Sequence, residues 1–165
     1  MTGRTPIKWV GVFPTFFSVS TLRREALLDC IKTTLKRHCD IRWSCRRQAV
    51  ATPQKNLPSV HKVLQHMTDR ANNWTTDTAS GAMILLRQID YKFVCLLEMW
   101  SEVLVKLECT NKSLQGKRSA LEVASSLLSG LAVDIEHLRD ERVHKHAAKN
   151  VCDSMSIKSN FTLKI

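Results

Sequence analysis

At 165 residues and 44% hydrophobic content, the chain has material for one ordinary globular core and too little sequence for two full-sized domains. Five glycines and four prolines exclude collagen-like and low-complexity chains and favour long helices, so an all-α fold is expected. The net charge of +10 is uneven: residues 1–62 carry twelve Lys/Arg against three Asp/Glu, a net of +9, and residues 63–165 carry thirteen against twelve. A basic N-terminal third attracts nucleic acid or an acidic surface, or is simply a solvated face. Six scattered cysteines in a chain of this size fit reduced thiols. The expectation is a nuclear or cytoplasmic protein that is not secreted, in which the sequons at Asn73, Asn111 and Asn160 carry nothing.

Residues 1–17 start polar and run into Trp9, Val10, Val12, Phe13, Phe16 and Phe17. Pro14 interrupts the run and no cleavage site follows, so it reads as an apolar lead-in packed on the body rather than a signal peptide. It also falls short of the roughly 20 apolar residues a membrane span needs. A helical domain is expected over 18–155 and a frayed end over 156–165. Ser18 or Ser20 can cap a first helix reaching about Thr33, with Leu22, Ala26, Leu27 and Ile31 buried and Arg23, Arg24, Asp29 and Lys32 in water.

The block Leu35 to Arg47 is the densest in chemistry. Lys36, Arg37, Arg42, Arg46 and Arg47 surround Trp43, a mixture that can hold phosphates and stack on a base. The bland reading makes Trp43 a core anchor and leaves the arginines solvated or paired with acids. Cys30, His38, Cys39 and Cys45 lack the paired spacing of zinc ligands, so no metal site is expected. Pro53 is placed to end one helix and Pro58 to begin the next, in which Val60, Val63, Leu64 and Met67 are apolar and His61, Lys62, Gln65 and His66 face outward. Asn72 and Asn73 close it, and Thr75 or Thr76 caps the following segment, where Gly81 is a weak point.

The stretch Leu85 to Leu107 reads as the organising element. Leu85, Ile89, Phe93, Leu96, Trp100, Leu104 and Leu107 recur at steps of three or four, as in one amphipathic hub helix or two helices meeting near Asp90. After Gly116-Lys117-Arg118, a second stripe follows through Leu121, Ala124, Leu128, Leu131, Ile135 and Leu138, with Ser119 and Glu122 as a capping box. Two long helices joined by a short turn should pack antiparallel. His137, His144 and His146 read as a solvated face.

No phosphate-binding glycine loop, dinucleotide fingerprint, nucleophile elbow or zinc-protease motif is present. The acids lie mostly beside Lys or Arg on helix faces. The chain therefore reads as no enzyme, with no cofactor and no small-molecule ligand.

Phe16-Phe17-Ser18-Val19-Ser20-Thr21, then Leu35-Lys36-Arg37 and Cys39-Asp40-Ile41-Arg42-Trp43-Ser44, resemble the "FFSxST … LKRLCDTRWSAR" run of hAT-superfamily transposase-derived proteins. Ala79-Ser80-Gly81-Ala82, Phe93, Trp100, Leu114-Gln115 and Leu138-Arg139-Asp140-Glu141 continue the likeness, which is greatest to the zinc finger MYM-type protein 1 group. It spans roughly residues 13 to 163, and departs at Ile41, at Cys45 and at the prolines after Thr52. The resemblance implies an antiparallel long-helix bundle, the helical insertion of a ribonuclease H-like transposase fold without its catalytic core. It also implies that the family's metal-binding acids, DNA-binding zinc finger and dimerisation region lie outside these residues.

The expected function is thus a noncatalytic fragment of a domesticated hAT-type transposase. Lys36, Arg37, Arg42, Trp43, Arg46 and Arg47 are its candidates for weak, sequence-tolerant DNA contact. The alternatives are a module that binds a helical protein partner and a truncated product without a function of its own.

Overall fold

The structure is a computed structural model that describes residues 6–32, 43–115, 121–138 and 141–158; the side chains of 6–11, 43–46 and 141–143 lie outside that description. Among the described residues the secondary structure is helical throughout. The helices are α1 (Pro6–Ser18), α2 (Thr21–Ile31), α3 (Trp43–Thr68), α4 (Thr76–Leu86), α5 (Tyr91–Leu114), α6 (Leu121–His137) and α7 (Glu141–Ser154), with a 3-10 turn at Arg70–Asn72. The all-α expectation is met.

Helix α3 shares the centre with α5. It packs on α1, α2, α4, α5 and α7, while α5 packs on α1, α3, α6 and α7. The continuity of α3 corrects the sequence reading, because Pro53 and Pro58 both lie inside it. Each proline removes one backbone donor and costs about 3 kcal/mol in a helix interior. Against that, α3 buries Val50, Leu57, Val60, Val63, Leu64 and Met67 to 3% exposure or less. Six such side chains at about 1.5–3 kcal/mol each outweigh two prolines. Side chains also serve carbonyls in the proline-bearing turns: Thr52 Oγ1 donates to Gln48 O at 3.2 Å and Asn56 Nδ2 to Thr52 O at 2.9 Å.

Of the two readings offered for the hub, the structure has two helices. Asp90 is the N-cap of α5, its Oδ1 accepting from Phe93 N at 2.7 Å, and Ile89 is buried between α4 and α5. The buried line of α5 is rotated from the expected stripe. Val94 and Leu97 are fully buried, whereas Leu96 and Trp100 are half-buried.

Helix α1 puts Phe13 and Phe17 into the core. Its Phe16 ring lies against Gly81 of α4, where an added Cβ would stand 2.7 Å from Phe16 Cε2. The expected weak point is therefore a site of close approach. Helix α2 reverses two expectations, since Leu22 is 63% exposed and Arg23 is 7% exposed. Arg23 is held inside because its donors are satisfied: Nε reaches Thr78 Oγ1 at 3.0 Å, Nη1 reaches Phe16 O at 3.5 Å and Nη2 reaches Asp77 Oδ2 at 2.5 Å. Its guanidinium also lies 4.5 Å from the Phe16 ring centroid. One arginine thus ties α1, α2 and α4 together.

The second half departs further from the sequence reading. No residue of α6 is buried, and Leu121 and Leu128 of its stripe are 87% and 52% exposed. Helix α6 rests on α5, with Lys106 Nζ 2.8 Å from Asp134 Oδ2. Helix α7, which no expected stripe had singled out, supplies Ala148 and Cys152 to the core, and Met155 follows it there. His144, expected in water, is 5% exposed with Nε2 at 3.0 Å from Leu138 O.

Candidate nucleic-acid interface

Of the six residues named for DNA contact, Lys36, Arg37 and Arg42 lie outside the described residues. Trp43 and Arg46 stand in the first turn of α3, with side chains outside the description. Arg47 is described, and it turns toward α5. Its guanidinium pairs with the Glu108 carboxylate, whose side chain is 9% exposed, and Lys112 Nζ reaches the other oxygen at 3.0 Å. The Arg47 charge is therefore matched inside the protein, where it neutralises a buried acid.

One turn or two further along, the same α3–α5 seam carries an amide network. Gln54 Nε2 donates to Glu98 Oε2 at 2.6 Å, and Ser101 Oγ donates to Gln54 Oε1 at 2.8 Å. Burial pushes the Glu98 carboxyl above its ordinary range; the Gln54 hydrogen bond opposes this, the Glu102 charge adds to it and His144 opposes it. Burial likewise lowers His61, on α3, below its ordinary value of 6.5. Burial holds the Cys152 thiol up at about 11, with smaller contributions from Cys95, Asp153 and Asp90. The shallow depression beside Ser101, Glu102, Val105 and Lys106 holds about 220 Å³, below the volume of ordinary ligand pockets.

The other side of α3 is different. Lys55, Lys62 and His66 are exposed and Ser59 is half-exposed, and these four follow one another at i, i+4, i+7 and i+11 along a single helix face. The whole of α3, residues 43–68, contains no Asp or Glu. Among the described residues neither Lys55 nor Lys62 has an ion-pair partner. At 1.5 Å per residue the stripe from Lys55 to His66 is about 16 Å long, the axial length of roughly five phosphates of one DNA strand. His66 is oriented by its neighbour: Trp74 Nε1–H points to His66 Nδ1 at 3.4 Å, with the rings edge to face at 6.2 Å. With Nδ1 accepting, the neutral ring carries its proton on Nε2 and offers a donor to a polyanion.

The stripe has a signal in the sequence that the prolines hid. Reading Pro53 and Pro58 as helix ends puts Lys55 in a loop and severs it from Lys62; a continuous helix aligns them. Among the described residues no cluster of three or more His, Cys, Asp or Glu is placed to hold a metal ion, and no helix is long and apolar enough to cross a membrane. No protein-family model, no curated protein and no solved structure matches the chain.

Proposed function

We propose that this chain is a noncatalytic helical piece of a domesticated hAT-type transposase, nuclear or cytoplasmic in location, that binds nucleic acid weakly and without sequence preference through the outer face of α3. The observation that carries the binding claim is the acid-free stripe with unpaired Lys55 and Lys62. The descent rests on the resemblance over residues 13 to 163. Lysines are mobile point charges that suit phosphate oxygens and carry no planar fork for reading a base edge, which supports affinity without specificity.

Fluorescence anisotropy with a 20-base-pair duplex at several salt concentrations tests this. The expected dissociation constant at physiological salt is in the non-specific range, roughly 10⁻⁴ to 10⁻⁶ M. Each phosphate neutralised contributes about −0.9 to the slope of log K against log salt. The double change Lys55→Ala/Lys62→Ala should remove about 1.8 of that slope, weakening binding several-fold at low salt while the circular dichroism spectrum stays unchanged. Affinity that ignores salt, or that survives the double change intact, refutes the assignment. The alternative, a helical protein-interaction module, is favoured by one observation, the exposed apolar flank of α6.

A further inference from the structure

Helix α6 has 17 residues, nine of them Leu, Val, Ile or Ala, and none is buried. The centre of its apolar arc rests on α5, where Ala124, Leu127, Leu131 and Ile135 are half-buried. Beside that contact runs a second line, Leu121, Ser125, Leu128 and Ala132, at i, i+4, i+7 and i+11, all exposed. A helix in water with such a line uncovered leaves apolar area that association can remove.

We propose that this flank of α6 is a homodimer face, on which α6 of a second copy lies antiparallel across a two-fold axis. The line is self-complementary in size. With Leu121 opposite Ala132 of the second copy, Ser125 falls opposite Leu128, so every leucine meets a small residue and the pattern repeats on the other side of the axis. An isologous contact requires such a match of one patch with itself. Charge agrees with the register. The acids of α6 are Glu122, Asp134 and Glu136, and the pairing sets Glu122 level with Leu131 of the second copy, so no carboxylate faces another. Size also suffices for a modest dimer. Seventeen residues give a face about 25 Å long, and the α5–α6 pair, at an axis separation of 8–10 Å, makes it about 20 Å wide. That footprint, about 500 Å² per copy and about 1,000 Å² in total, belongs to the weak, transient class of interfaces, so micromolar association is expected rather than an obligate dimer.

Sedimentation velocity of the full chain in 0.5 M NaCl tests the proposal, at a salt concentration that suppresses nucleic-acid carry-over and leaves apolar contact intact. The expected result is a monomer–dimer equilibrium in the tens of micromolar, twice 18.8 kDa at the upper limit. Leu128→Glu should abolish dimer at 100 µM with an unchanged melting temperature, since Leu128 is already 52% exposed in the monomer. Ile84→Glu, on the exposed side of α4, is the control and should leave the dimer in place. In a second arm, Ser125→Leu should weaken the dimer by placing leucine against leucine. A chain that stays monomeric at 100 µM, or a dimer that survives Leu128→Glu or falls apart with Ile84→Glu, overturns the proposal.

Discussion

Replacing Arg47 by alanine separates a structural arginine from a DNA-binding one. In the folded protein Arg47 and Lys112 are the two cations on Glu108, and they are not equivalent. The Lys112 side chain is 70% exposed, so its share is that of a surface ion pair, about 0–1 kcal/mol. Arg47 is 35% exposed at the side chain and meets a carboxylate that is 9% exposed, so most of the compensation for burying Glu108 comes from it. Stripping the partner from a fully buried charge costs about 3–5 kcal/mol; with Lys112 still in place and water able to enter from the Arg47 side, about 2 kcal/mol is the expected loss. In a protein of this length that lowers the melting temperature by about 4–8 °C. Thermal denaturation by circular dichroism measures it, and the cycle with Glu108→Gln isolates the pair, since the second change should cost much less once Arg47 is absent. DNA affinity and its salt slope should be unchanged in Arg47→Ala. An unchanged melting temperature together with a reduced salt slope would show that Arg47 serves phosphate and not Glu108.

Two further changes probe the seams. Burial raises the Glu98 carboxyl above its ordinary 4.5, so between 4.5 and the folded value the native state keeps a proton that the unfolded chain releases, and stability falls as pH rises through that window. Glu98→Gln keeps an oxygen for the Gln54 amide and removes the charge, so urea denaturation should find it at least as stable as the parent at pH 7.5 with the difference gone at pH 4; a parent that is clearly the more stable at pH 7.5 contradicts the burial argument. Gly81→Ala should lower stability by about 1–3 kcal/mol, because the Phe16 ring must yield to a Cβ 2.7 Å away, even though alanine gains about 1 kcal/mol of helix propensity. In a Phe16→Leu background the same change should be neutral or stabilising in the same assay, and a loss of equal size in both backgrounds would place its cause elsewhere than the ring.

The sequence was enough to find the helical class and the buried line Val60, Val63, Leu64 and Met67 of α3, and to offer the Asp90 break and the Thr75 cap among its alternatives, because each depends on residues within one or two turns; His61, expected outward, is buried beside that line. What it missed depends on partners far along the chain. Arg23 looks like a surface residue until Phe16, Asp77 and Thr78 are brought to it, the last two across more than fifty positions. Pro53 and Pro58 look like helix ends because their local cost is visible, while the burial that offsets it comes from α4 and α5 packing on α3. The error in α6 runs the other way. Its stripe is as regular as that of α5, but periodicity states only that a face is apolar, and whether a layer covers it is decided by the rest of the fold. Of the candidate site, the basic N-terminal third was legible, whereas the pairing of Arg47 with Glu108 and the alignment of Lys55 with Lys62 on one face of α3 were not.

That last gap follows from how charge is counted. A net of +9 over residues 1–62 treats every cation as available to a polyanion. Arg23 and Arg47 are instead spent on Asp77 and Glu108, which takes two planar, multi-donor heads of the kind that holds a phosphate or reads a guanine edge. The outward face of α3 keeps lysines. Arginine tolerates burial because its guanidinium is weakly hydrated and can satisfy several acceptors at once, whereas an ammonium is strongly hydrated and stays in water. At these two seams the cation taken inside is arginine, and the exposed face of α3 from Lys55 to His66 carries lysine, the kind that tracks backbone charge. The proposed interface would therefore attract any duplex about equally through a field that falls off within about 8 Å at physiological salt, and loose, sequence-tolerant binding is the behaviour to expect of it.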